Sequence, residues 1–161
     1  MSYLENGVVT IEDLQLPTEE RMKQGRVIVI ECVQHIPCNP CVDICPQGAI
    51  TITGEITNVP VVDFEKCSGC TLCVANCPGL AIFSINQTYS EAEAEIGIPY
   101  EFLPLPSKGE DVTALDRSGR PVCEGRIVSV KNPKAYDRTP IVFIAVPEKY
   151  SMTVRFFRRK D

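Results

Sequence analysis

Apolar and polar positions follow two different habits along the 161-residue chain. In the first half, short β-branched runs lead into cysteine loops. "RVIVIEC" (26–32) and "VPVVDFEKC" (59–67) each read as a strand delivering a Cys. Between them "AITITGEITNV" (49–59) alternates about a Gly-containing turn and predicts a hairpin. In the second half, "VTALDRSGRPV", "EGRIVSVKNP", "TPIVFIAVP" and "MTVRFFRR" are four β-like runs. "DRSGR" and Asn132-Pro133 break them. These runs predict a small all-β module over 112–161, a barrel or an antiparallel sheet. The intervening 87–111 carries prolines and an acidic run, and predicts a linker with Glu91, Glu93 and Glu95 on a solvated edge. Residues 1–25 predict an arm, with a short strand and a polar helical stretch after Pro17. The expected class is α+β: arm (1–25), a Cys-loop domain (26–86), linker (87–111) and β module (112–161).

Composition narrows the functions. No apolar run approaches the roughly 20 residues that span a bilayer, and "MSYLENGVVTIEDLQLPTEERMKQGR" lacks the features of a signal peptide. The cytoplasm is the expected compartment. A net charge of −5 argues against nucleic acid as the main partner. Eight of the nine cysteines fall into two clusters with Cys-Pro endings. That placement points to thiols held for metal rather than to a disulfide scaffold. Cys123 stands apart and reads as a small apolar strand residue.

The chain also repeats itself. "CNPCVDICPQGAI" (38–50) and "CTLCVANCPGLAI" (70–82) match at an offset of 32 residues. The second copy is complete: Cys67-x2-Cys70-x2-Cys73-x3-Cys77-Pro78. A four-cysteine zinc site needs only two C-x2-C pairs. It leaves the third Cys and the doubled Cys-Pro ending unexplained, whereas an iron–sulfur loop uses both. Small and polar residues (Ser68, Gly69, Thr71) let backbone N–H groups approach the sulfurs.

On these motifs the region 26–85 resembles the bacterial two-[4Fe–4S] ferredoxin domain. The resemblance implies two [4Fe–4S] clusters with crossed ligation. One would take Cys67, Cys70, Cys73 and Cys45. The other would take Cys38, Cys41, Cys77 and one further ligand. For that ligand, repeat arithmetic nominates His35, because 35 plus the offset lands on Cys67. The incoming strand nominates Cys32, with a loop three residues longer. Thiolate is the usual ligand of such clusters, a loop accepts a short insertion at little entropic cost, and Pro37 stiffens the return to Cys38. These points favour Cys32. His35 stays as the alternative, and a [3Fe–4S] cluster as a third.

No nucleotide loop or catalytic triad is present, and the single histidine limits acid–base chemistry, so no catalytic residue is assigned. The ferredoxin-like domain with an added β module resembles the small dicluster subunits of flavin-dependent dehydrogenases that oxidise amino acids such as proline. That resemblance implies electron transfer from a larger flavin-containing subunit to another cluster or carrier, with other Fe–S subunits as further partners. A free ferredoxin and a structural or redox-sensing module are the other readings. "RFFRRKD" (155–161) is read either as a last strand with a basic end or as an anchor on another subunit.

Overall fold

In the computed structural model, which describes residues 2–160, the chain opens on two one-turn helices, α1 (Tyr3–Asn6) and α2 (Glu19–Met22). The side chains of Ser2 and Thr18 cap them by accepting from Leu4 N and Arg21 N. Strand β1 (Val27–Ile30) follows and is buried along its whole length. The Cys-rich part supplies α3 (Pro40–Ile44), β2 (Ile50–Thr51), β3 (Val61–Val62) and α4 (Leu72–Asn76). It returns on β4 (Ile82–Asn86), antiparallel to β1 with Ile30 opposite Ile82. A hairpin lies between the Cys loops, as the alternation predicts. Its second arm is Val61–Val62, further along than 49–59 suggests.

The remaining strands are β5 (Glu93–Pro99), β6 (Asp111–Leu115), β7 (Pro121–Lys131), β8 (Ile141–Pro147) and β9 (Phe156–Arg159). They join β1 and β4 in one seven-stranded antiparallel sheet of order β1-β4-β5-β8-β7-β6-β9. This corrects the expected division. Residues 87–111 are not a plain linker, because β5 lies between β4 and β8 and fuses the two halves of the chain. The acidic letters of "EAEIGIP" disguise a strand whose Ala94, Ile96 and Ile98 fill one face. Glu95, expected in solvent, is 6% exposed and ion-paired with Arg26.

Alternation sorts the core into two layers. Val29, Val142, Ile144 and Val146 point to one side of the sheet; Ile28, Ile30, Ile141 and Phe143 point to the other, with the Cys loops. The first layer also holds Val112, Ala114 and Phe157, so the far end of the sheet curls back over β1 and β4. Irregular register in β6 and β7 assists that bend. Gly97 is required where β5 pairs with β4, opposite Ser84: an added Cβ would collide with Ser84 Oγ and lie 2.8 Å from the Phe143 ring. The "DRSGR" turn does break β6 from β7, with Asp116 Oδ1 accepting from Ser118 N and Arg120 N. Phe156 and Phe157 belong to a last strand, and Phe157 stacks on Tyr100 at 5.2 Å.

Candidate metal centre

The sequence repeat is a repeat of geometry. α3 and α4 are both five-residue helices, each with a Cys at the second position (Cys41, or Cys73). Each ends on a Cys with nearly the same backbone angles, φ −73°, ψ 108° at Cys45 and φ −75°, ψ 113° at Cys77. Ala49 N–H donates to Cys45 Sγ over 3.3 Å, and Ala81 N–H to Cys77 Sγ over 3.4 Å. The two helices pack side by side, so the C-terminal Cys of each reaches the neighbouring loop.

Two cavities result. Cys32, Cys38, Cys41 and Cys77 line the first, and Cys45, Cys67, Cys70 and Cys73 line the second. Each draws three thiols from one loop and one from the other, the crossing that the resemblance implies. Their empty spaces, partly open to solvent, are about 400 and 310 Å³. His35 is exposed and lines neither, while its neighbours Gln34 and Ile36 sit on the rim of the first. All nine cysteines are free thiols, and Cys123 lies in β7.

The donor set fits iron–sulfur clusters. Burial, with the Cys77 and Cys38 thiols beside it, pushes Cys41 up to about 11. Burial also raises Cys73, reinforced by Cys67, Cys70 and Cys45, and raises Cys32. Thiolates so placed need compensating cations. Among the described residues, no three His, Cys, Asp or Glu side chains converge on a point where one ion could sit. Tetrahedral zinc, with Zn–S near 2.3 Å, requires such convergence. The thiols instead surround spaces, as a multi-iron core needs.

Residues outside the motifs brace both cavities, and these the sequence did not single out. Arg21 of α2, 5% exposed, donates to the carbonyls of Phe64 (2.7 Å), Gly25 (3.3 Å), Arg26 (3.2 Å) and Cys67 (2.6 Å). The same loop rests on Arg26, whose carbonyl oxygen would lie 2.5 Å from a Cβ at Gly69 (φ +69°). Thr71, fully buried at φ +70°, meets the Tyr136 hydroxyl at 3.1 Å. Such a backbone persists in a β-branched residue only where its surroundings fix it. Gln15 pairs with both backbone groups of Val62, at 3.1 and 2.9 Å, so the arm docks on the hairpin. Glu31, next to Cys32, is bound by Arg117 and Arg155. Single arginines and a tyrosine in one-turn helices and loops carry no periodic or spacing signal.

Residues 31–81 match the family model for the 4Fe-4S dicluster domain. The chain is 36% identical over 72 residues to the ferredoxin-type protein NapF of Haemophilus influenzae, covering 42% of this chain and 39% of that one. It is 33% identical over 79 residues to a tetrathionate reductase subunit of Salmonella typhimurium, covering 49% and 31%. With the polyferredoxin-like subunit of an aliphatic sulfonate oxidoreductase from Pyrococcus furiosus it shares 48% over 48 residues, covering 30% and 27%. The chain thus spans well under half the length of each of these relatives. No solved structure matches. The matched segment is a ferredoxin-type dicluster domain, and its cofactor is a pair of [4Fe–4S] clusters. No helix among the described residues is long and apolar enough to cross a membrane.

Proposed function

We propose that this chain is the iron–sulfur electron-transfer subunit of an oxidoreductase complex. Cys32, Cys38, Cys41 and Cys77 hold one cluster, and Cys45, Cys67, Cys70 and Cys73 hold the other. The observation that carries the reading is the pair of adjoining four-thiol cavities, each borrowing one Cys from its neighbour. When bound, the clusters supply single-electron exchange. The protein's own residues fix the thiols: helices α3 and α4 set their spacing, and Ala49 N–H and Ala81 N–H donate to the two shared sulfurs. Gly69 and Thr71 bring backbone close to the second site. The apolar walls, Ile30 and Ile82 at one cavity and Ile28 and Ile50 at the other, keep water from the buried side.

The tetrathionate reductase and sulfonate oxidoreductase subunits, similar through this domain, support membership of a complex. The larger partner is read as a flavin-containing dehydrogenase, on the sequence resemblance. Anaerobic purification from the native host tests this, with everything that accompanies the chain identified. A stable complex containing flavin and about eight irons per copy of this chain is expected. A chain that purifies alone is a diffusible ferredoxin. A complex without flavin overturns the choice of partner, and clusters that never reduce overturn electron transfer.

A further inference from the structure

We propose that Arg21 is a positioning residue for the second cluster, and that its charge raises that cluster's reduction potential without acting on the first. The inference rests on the reading that Cys67 is a ligand of that cluster. The guanidinium is buried, and among the described residues its partners are backbone carbonyls and no carboxylate pairs with it. A full positive charge held out of water without a counter-charge is costly. A four-thiolate cluster is a counter-charge: it is negative in both redox states and gains one more negative charge on reduction. A fixed cation behind its loop therefore favours the reduced state.

The hydrogen bonds act in the same direction. The C=O and the following N–H of a trans peptide point opposite ways. Holding the Cys67 carbonyl on Arg21 turns the Ser68 N–H away from Arg21, and Ser68 lines the second cavity. That N–H is then available to a cluster sulfur, and N–H···S bonds raise the potential too. Arg21 also grips the Arg26 carbonyl against which Gly69 is packed, so one side chain fastens the loop to the start of β1. The first cavity is built differently. The arginines near it, the buried Arg155 and the half-buried Arg117, share the carboxylate of Glu31.

The test is an EPR-monitored redox titration of the anaerobic holoprotein, with iron analysis, on Arg21→Gln and Arg21→Lys. Expected for Arg21→Gln are both clusters retained and one midpoint lowered. At a fixed potential near that midpoint, the reduced-to-oxidised ratio falls at least tenfold, which is about 59 mV for one electron. The other midpoint stays in place. Arg21→Lys keeps the charge with fewer hydrogen bonds and recovers most of the shift. Unchanged midpoints in Arg21→Gln overturn the proposal, and so do equal shifts in the two variants, which mark a packing role alone. If Arg21→Gln loses iron, Arg21→Lys decides: two clusters with a near wild-type midpoint support the charge, and loss of the same cluster overturns it. Cys67→Ala is the separate control. If it leaves both clusters intact, the ligand reading fails, whatever Arg21 does.

Discussion

Arg155 Nε donates to Glu31 Oε1 over 2.6 Å, joining residues 124 positions apart. Arg117 completes the site with two bonds to the same carboxylate, at 2.8 and 2.7 Å. Burial by itself would push Glu31 up, but the two guanidinium groups outweigh it and hold the carboxyl below its ordinary value. The contribution is therefore present above the ordinary carboxylate pKa and is lost as pH falls through the lowered one. Glu31→Gln leaves the buried Arg155 and the half-buried Arg117 on a neutral partner, and the expected loss is about 3 kcal/mol. Urea unfolding of the anaerobic holoprotein checks it. The gap between wild type and variant should hold steady from pH 7 to about pH 5 and close below about pH 4.3. A gap that changes between pH 7 and pH 5 assigns the effect to another group.

The first cavity makes the choice of ligand testable. Cys32 lines it and His35 faces solvent. Cys32→Ala is expected to lower the iron content from about eight to about seven or fewer, with a [3Fe–4S] EPR signal if three thiols retain the core. His35→Ala should keep about eight irons and both reducible clusters. The reverse pattern would make the histidine the ligand.

At the Ser84–Gly97 pair of β4 and β5, Gly97→Ala forces a methyl group against Ser84 Oγ and Phe143. Overpacking of this kind costs about 1–3 kcal/mol. Adding Ser84→Gly should return part of it, because the hydroxyl is one of the two obstacles. A single substitution as stable as wild type in urea would mean that the strands separate freely there.

Tyr136 and Thr71 link the C-terminal half to the second cavity. Tyr136→Phe removes one buried hydrogen bond, worth about 0.5–1.5 kcal/mol. The larger sign should be kinetic: faster loss of iron to an anaerobic chelator from one cluster, with the other unaffected. Equal rates for both clusters would show that Thr71 is held by its own loop.

How much of this could be read in the sequence follows from the kind of signal each feature leaves. The Cys-x2-Cys spacings and the 32-residue offset are local, so seven of the eight thiols that line the cavities stood out in the sequence, whereas Cys32 was nominated by the incoming strand against the offset, which pointed to His35. The strands of the second half were legible from β-branched runs and from the Asp116–Arg120 turn. β5 was not. Glu93 and Glu95 read as a solvated edge because their partners, Arg126 and Arg26, lie 33 and 69 positions away. The mistake about one buried glutamate also hid the continuity of the sheet. Arg21 and Tyr136 were invisible for a related reason: each acts on backbone or hydroxyl groups of a distant loop, and no residue pattern encodes that.

The long reach of the Glu31–Arg155 bond bears on the order in which a new chain can be completed. Ribosomes add about 5–20 residues per second, so Glu31 is made about 6–25 s before Arg155 exists. The loop of the second cavity and Arg21, its fastener, lie within 52 positions of each other, from Arg21 to Cys73, and emerge close together. Every residue that lines either cavity precedes residue 83, so both sets of thiols can gather while much of the sheet is still unmade, whereas Tyr136, Arg117 and Arg155 follow only with the later strands. Biosynthesis thus completes both sets of thiols before the side chains that brace them, Tyr136 at the second site and Arg155 beside the first.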